Sequence, residues 1–468
     1  MAAARGSGQE GRALAMAYDL LVIGGGPGGY HAAEKAALAG LKTMLATDGP
    51  VGGVCLNEGC IPTKALLYSA KVYEAAKGSA KYGVRVGGAE LDHGAVIERK
   101  RKVVSALTGG VTRRLRKAGV TVAQGGAVIR GKAGGAFRAE VGGEAVEASS
   151  LIIATGSSPI MPRIEGLDRA LGTGFAMTSS GMLESAAVPR RLVVVGGGVI
   201  GLEMASYYNS AGSEVFVVEA LDHIAGFTDR EISSMLMAEY ERKGVRFLLK
   251  GTVTALGDGM VRYGLDGGAY ELNADTVLMS VGRRPNVAGL GLESIGVETK
   301  GGRIPTDGRM RTNVSGAYAV GDVNGESMLA HTAYVEAEVA VDNILGVRRS
   351  VRYGAIPSVI YTNPEVAGCG ETEESAAGKG MAVEVRKKPL AYNGRYMAES
   401  EGDPGLCKIL LEKGTGRIVG VHMMGPYASE VIFGASAFME MEMTGADVAG
   451  MVFPHPTVSE MIKETLER

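Results

Sequence analysis

Tyr18-Asp19-Leu20-Leu21-Val22-Ile23-Gly24-Gly25-Gly26-Pro27-Gly28-Gly29 is the stretch from which the fold can be read. A mostly apolar, β-type run enters GxGxxG spacing at Gly24, Gly26 and Gly29, and an Ala-rich helical stretch, Ala32 to Ala39, follows. The glycine spacing alone is weak, but set between a strand and a helix it marks a Rossmann-type dinucleotide unit. The glycines let the backbone turn sharply and approach a pyrophosphate seated on the helix N-terminus. The order then recurs, with Arg191–Val195 as strand, Gly196, Gly198 and Gly201 as loop, and Leu202 to Ala211 as helix. Two such units predict an α/β fold with two separate dinucleotides.

The second unit ends in Val215-Phe216-Val217-Val218-Glu219, which puts a carboxylate 23 residues after Gly196. A carboxylate there hydrogen-bonds ribose hydroxyls and repels a 2′-phosphate, so NAD is predicted over NADP. Ala220 and Leu221 follow, with no Arg to accept that phosphate. The same count from Gly24 lands on Thr47, a neutral residue, with Asp48 one step on. Either Thr47 gives a weaker hydrogen bond or Asp48 swings in; the first site is expected to bind somewhat less tightly, yet sufficiently. Farther on, Thr312 to Asp322 reads as a turn, a short strand and Gly321-Asp322. An aspartate there can accept hydrogen bonds from the sugar-alcohol hydroxyls of a flavin. Equally, it can be an ordinary N-cap.

Between the units lies Gly52-Gly53-Val54-Cys55-Leu56-Asn57-Glu58-Gly59-Cys60-Ile61-Pro62-Thr63-Lys64. Two thiols five positions apart can close a disulfide if the backbone brings their Cα atoms within roughly 7 Å. The Gly-Cys-Ile-Pro-Thr run reads as a loop entering a helix, where a Cys60 thiolate would be stabilised. With four Cys and no secretory signal, a redox pair is expected rather than a structural staple. The 468 residues suit several domains, and the net charge of −2 gives no case for nucleic acid or anionic membrane. No apolar run reaches the roughly 18–20 residues a membrane span needs. Glycine, 72 residues, is abundant without a collagen-type period and signals many tight turns. Residues 1–17 read as a disordered extension, with Met16 as a possible start, and a cytoplasmic protein without a metal is expected.

The set GGGPGGY, GGVCLNEGCIPTK, LIIATGSSP, GGGVIGLE, GRRPN, YAVGDV and HPTVSE resembles the pyridine nucleotide–disulfide oxidoreductases. The resemblance runs from about Tyr18 to the C-terminus, and its dihydrolipoamide-oxidising branch is the most similar. It implies an FAD domain of about Tyr18–Ala154 and Val281–Gly346, an inserted NAD domain of about Thr155–Ser280, and an α+β dimerisation domain of about Val351–Arg468. Thr155 and Gly156, and Gly282 and Arg283, fall in motifs it assigns to cofactor binding. It also implies a homodimer in which His455, oriented by Glu460, acts as general base in the other subunit's active site. Cys55 becomes the interchange thiol and Cys60 the thiol beside the flavin, while Lys64 pairs with Glu203 near the flavin ring. The spacing of Thr457 and Glu460 also fits a capping box, which accounts for Glu460 but not for His455.

Val199 is small where glutathione reductase-like relatives carry a gating Tyr, and the last residues lack mercuric reductase's Cys pair. Phe453 stands where the family usually has a second His, which alters the edge of the expected substrate channel. Cys369 and Cys407 are expected to be buried thiols, and Met439, Met441 and Met443 to be packing. A lipoyl-bearing protein of a 2-oxoacid dehydrogenase complex or the glycine cleavage system is the implied partner, with the lipoyl group on that partner. The rivals are an NADH-driven reductase of another disulfide and a non-catalytic scaffold dimer.

Overall fold

The computed structural model describes residues 16–400 and 402–467. The chain divides into two compact units, one of Met1–Cys55, Leu107–Ser158 and Arg284–Val351, the other of Leu56–Ala106, Pro159–Arg283 and Arg352–Arg468.

In the first unit the strand Met16–Ile23 lies between Thr43–Thr47 and Glu144–Ile153, parallel to both. Leu20, Leu21, Val22 and Ile23 are all buried, so both faces of this strand are covered and its apolar run is continuous rather than alternating. Thr121–Gln124 extends the sheet on one side, and Ala317–Ala319 pairs with Glu144–Ile153. An antiparallel hairpin, Ala127–Ala133 and Ala136–Val141, completes its seven strands. The helix Pro27–Leu38 packs against Ala330–Ile344. The first strand starts earlier than expected: Met16 and Ala17 pair with Val146 and Glu147, so the sheet extends into the segment expected to be disordered. The rest of that expected extension, residues 1–15, lies outside the described residues.

The second unit holds a five-stranded parallel sheet in the order Arg246–Leu249, Glu214–Glu219, Arg191–Val195, Thr276–Met279 and Ala176–Thr178. Thr252–Gly257, Met260–Leu265 and Gly268–Asn273 form a small antiparallel sheet. The C-terminal part is a five-stranded antiparallel sheet, Ser358–Ile360, Val366–Gly370, Ile418–Met424, Leu406–Glu412 and Val383–Pro389. Ala428–Glu440 and Glu460–Leu466 pack on that sheet. The architecture is thus α/β with two parallel, Rossmann-like sheets and an antiparallel C-terminal α+β part. The helix Ala428–Glu440 stops because Met441 caps it and Glu442 turns left-handed at φ 54°. Met439 and Met443 pack on the core, whereas Met441 is 72% exposed.

The long helix Cys60–Lys77 packs on Val199–Ser210. Lys64 meets Glu203 near the two helix starts and Glu74 meets Ser210 near the two ends, so the helices run the same way. Their N-termini therefore lie at one end, and their positive dipole ends are adjacent. Among the described residues no helix is long and apolar enough to cross a membrane.

Candidate active site

The two glycine loops share their backbone hydrogen bonds to the neighbouring strand and segment. Gly24 N–H donates to Ala46 O at 2.8 Å, and Gly196 N–H to Val218 O at 2.9 Å. Gly25 O accepts from Gly52 N at 2.8 Å, and Gly197 O accepts from Ala225 N at the same distance. The first glycine of each loop has positive φ, 115° at Gly24 and 103° at Gly196, which side chains resist. The third admits no side chain: a Cβ on Gly29 would sit 1.7 Å from Gly24 O, and one on Gly201 2.2 Å from Gly196 O. The middle glycines differ in kind. Gly26 and Gly198 are extended N-caps of twelve-residue helices without a side-chain cap, and a Cβ on either would meet nothing within 4 Å. A side chain would fill the space over each helix N-terminus, where uncapped N–H groups suit a diphosphate. Both loops fit a dinucleotide.

The strands after the loops end in register. Thr47 O accepts from Gly125 N and Glu219 O from Gly251 N, both at 2.9 Å, so Thr47 occupies the position of Glu219. Glu219 Oε2 accepts from Gly197 N at 2.6 Å and Oε1 from Leu221 N at 2.7 Å, fixing the carboxylate against its loop. The buried Thr47 hydroxyl donates instead to Gly49 O at 2.9 Å, while Asp48 is exposed beyond the strand end.

Elsewhere in the first unit, Thr155 and Gly156 are tied to Asn286. Thr155 Oγ1 donates to Asn286 O at 2.7 Å, and Asn286 N donates to Gly156 O at 2.9 Å. Asp322 lies in the 3-10 turn Gly321–Asn324 and accepts from Ser157 Oγ at 2.5 Å, so it caps no helix end with its side chain. The neighbouring Gly321 N–H donates to the buried Glu336 carboxylate at 2.6 Å. In the second unit Gly282, at φ 112°, accepts through its carbonyl from Ile160 N at 2.9 Å, and Arg283 is half-buried next to it.

Cys55 sits on the short helix Gly53–Asn57, and Cys60 is the first residue of Cys60–Lys77, where the sequence placed a helix start. Both are partly exposed. The helix carrying Cys55 rests on the first loop, because a Cβ on Gly53 would lie 2.5 Å from Gly26 Cα. One turn past Cys60, Lys64 Nζ lies 2.9 and 3.0 Å from the two oxygens of the buried Glu203. Glu203 Oε1 also accepts from Tyr361 N at 3.0 Å, and Lys64 Nζ stands 4.5 Å from the Tyr361 ring centroid.

His455 Nδ1 lies 3.0 and 3.2 Å from the Glu460 oxygens, with the imidazole side chain 79% exposed. Burial disfavours the Glu460 charge, but Thr457 N–H, His455 and Lys463 outweigh it and hold the carboxyl below its ordinary range. The capping box is half made. Glu460 accepts from Thr457 N at 2.8 Å, but the Thr457 hydroxyl turns to Pro454 O and the helix starts at Glu460. Phe453 is half-buried and meets Phe438 edge-on, with centroids 6.4 Å apart.

Residues 18–337 match the pyridine nucleotide-disulphide oxidoreductase family, and residues 356–466 match its dimerisation domain. The chain belongs to that family. It is 41% identical over 95% of its length to a mitochondrial dihydrolipoyl dehydrogenase of Pisum sativum, covering 90% of that protein. It is equally 41% identical to a leghemoglobin reductase of Glycine max, over 95% of this chain and 86% of the relative. Among solved structures, LpdA from Mycobacterium tuberculosis superposes with a TM-score of 0.86 at 25% identity, covering 96% of this chain and 99% of that one. As a family member the chain is a disulfide oxidoreductase.

Sequence spacing gives no sign of one further pair beside the first loop. Tyr30, directly after Gly29 and buried, hydrogen-bonds the Tyr334 hydroxyl with the rings edge-on at 5.9 Å. Burial and the Tyr334 bond push the Tyr30 phenol far above its ordinary value, and Cys55 pushes it the same way. Cys369 and Cys407 are buried, and burial pushes each thiol up to about 12.

Proposed function

We propose that this chain is a dihydrolipoyl dehydrogenase that oxidises protein-bound dihydrolipoamide to lipoamide. A Cys55–Cys60 redox disulfide takes the electron pair, FAD is held at the first loop and NAD at the second. The observation that carries the reading is the 41% identity across 95% of the chain to a protein of that name. Supporting it are the thiol at a helix N-terminus, the His455–Glu460 contact and the Lys64–Glu203 pair.

The FAD domain comprises about Tyr18–Ala154 and Val281–Gly346, the NAD domain Thr155–Ser280, and the interface domain Val351–Arg468. Gly24, Gly26 and Gly29, with Thr47, Thr155, Gly156 and Asp322, would hold FAD, which would supply the two-electron chemistry that links the thiols to NAD. Gly196, Gly198, Gly201 and Glu219, with Gly282 and Arg283, hold NAD, and the fixed Glu219 carboxylate excludes a 2′-phosphate. In the homodimer, His455 of each subunit serves the thiols of the other. Glu460 holds the ring at Nδ1, leaving Nε2 to take a proton from the substrate dithiol. The resulting thiolate attacks Cys55 Sγ, forming a mixed disulfide and releasing Cys60 as a thiolate. The substrate's second thiol, deprotonated in turn, displaces Cys55, so the substrate leaves as a disulfide and both cysteines are reduced. The positive end of the Cys60–Lys77 helix stabilises the Cys60 thiolate.

A second reading has two supports. Phe453, where the family usually has a second His, and relatives named leghemoglobin reductase favour an NADH-driven reductase of another disulfide. The test is the rate of NAD reduction by free dihydrolipoamide with the purified flavoprotein. A fast rate that disappears with NADP is expected. No rate, in a protein whose flavin still accepts electrons from NADH, would replace the first reading with the second.

A further inference from the structure

Glu74 lies near the far end of the Cys60–Lys77 helix, 14 residues beyond Cys60, and the chemistry proposed above does not use it. Its carboxylate nonetheless joins four segments of the second unit. Ser210 Oγ, at the end of the helix that starts at the NAD loop, donates to Glu74 Oε1. Asn363 Nδ2 donates to Oε2 at 2.6 Å, and Lys243 Nζ lies 3.5 Å from the same oxygen. Lys243 Nζ also donates to Asn363 O at 2.5 Å, closing a ring of charge-assisted bonds. The Glu74 and Lys243 side chains are only 27% and 21% exposed, so the pair is shielded from the screening that makes surface ion pairs weak.

The paired helices are therefore fastened twice. Lys64–Glu203 joins them at their starts and Glu74–Ser210 at their ends. Apolar packing holds the two helices together, and polar fastenings at both ends add directional constraints on their offset and their crossing. Three groups share the starting end: the Cys60 thiol, the Lys64 ammonium and the Gly198 N-cap of the dinucleotide loop. We propose that Glu74 is a positioning residue that keeps the thiol-bearing helix in register with the NAD-loop helix. Electron transfer from NADH then depends on a carboxylate that touches neither substrate nor cofactor. The inference rests on the cofactor assignment above.

The test uses flavin reduction by NADH in the holoprotein, followed by rapid-mixing absorbance, because this needs no dithiol substrate. Glu74→Ala is expected to slow the limiting rate about tenfold, since small misplacements of reacting groups are costly. The half-saturating NADH concentration should stay within about twofold, because the loop and Glu219 are untouched. Glu74→Gln, which keeps an acceptor for Ser210, should restore most of the rate. A Glu74→Ala rate within about twofold of the unsubstituted protein overturns the proposal, as does a change confined to half-saturation. Hydrogen exchange is the second arm, and it decides the matter even if NADH proves not to be the reductant. Faster exchange in Glu74→Ala, confined to Cys60–Lys77 and Val199–Ser210, supports the coupling. Unchanged exchange in both helices refutes it, whatever the fate of the cofactor assignment.

Discussion

The loop after Met16–Ile23 and the loop after Arg191–Val195 are one device made twice, down to matching hydrogen bonds at three positions. They part at the side chain that ends the following strand, Thr47 in one and Glu219 in the other. Glu219 is bound through both oxygens to backbone N–H groups, Gly197 at 2.6 Å and Leu221 at 2.7 Å. Thr47 makes no such clamp; its hydroxyl is directed at Gly49 O. The backbone of a dinucleotide loop therefore does not require the acidic residue. What the carboxylate adds is a fixed charge at the strand end, together with a tether for the middle of the loop. On the proposed assignment, that suits NAD, which must be chosen and exchanged, while a resident FAD can do with a neutral partner.

The largest effects should follow from breaking what the loops share. Gly201→Ala would drive a Cβ into Gly196 O, and loss of NADH-dependent flavin reduction by more than about a hundredfold is expected while the flavin is retained. Gly29→Ala should instead give protein purified without flavin. Retained flavin with a full visible spectrum would mean that the first loop is not the FAD site. Next comes Glu219→Thr, which makes the second loop resemble the first. On the proposed assignment one charge-assisted bond to the ribose is lost, worth about 1.5–3 kcal/mol, so NAD should bind roughly ten- to a hundredfold more weakly and selectivity over NADP should shrink. Titration with both coenzymes measures it, and unchanged selectivity would deny Glu219 its role.

The reverse change, Thr47→Glu, should tighten FAD about three- to tenfold by giving Gly25 N–H a carboxylate partner. Dissociation followed by flavin fluorescence decides it, and no tightening would mean the missing carboxylate is irrelevant. The smallest effect is expected at Asp48→Asn. Asp48 is exposed while Thr47 is in register with Glu219, so FAD affinity should stay within about twofold. A larger loss would return the ribose contact to Asp48.

Much of this was legible because covalent geometry writes it into local sequence. Only glycine satisfies the positive φ and the sub-3 Å approaches of the loops, and a fixed helix-and-strand length sets the count to Thr47 and Glu219. Pro62 and Gly59 likewise marked the start of the Cys60 helix. Contacts between distant segments were legible only through family resemblance, as with Lys64 and Glu203, or not at all. Tyr30 with Tyr334, and Glu74 with Ser210 and Asn363, join residues far apart in the chain, and no spacing rule connects them. Ends of elements were the weakest part. The strand at Met16 is held by pairing with Val146, and the helix before Met441 ends at a backbone turn that Met, Glu and Met do not signal.

On the proposed pairing of Cys55 with Cys60, the burial of Cys369 and Cys407 makes a thiol count a redox gauge. With their thiols pushed up to about 12, they are almost wholly protonated at neutral pH and slow towards alkylating reagents. A maleimide count on folded protein therefore registers only Cys55 and Cys60. It should read zero when those two are joined, two after mild reduction and four after denaturation.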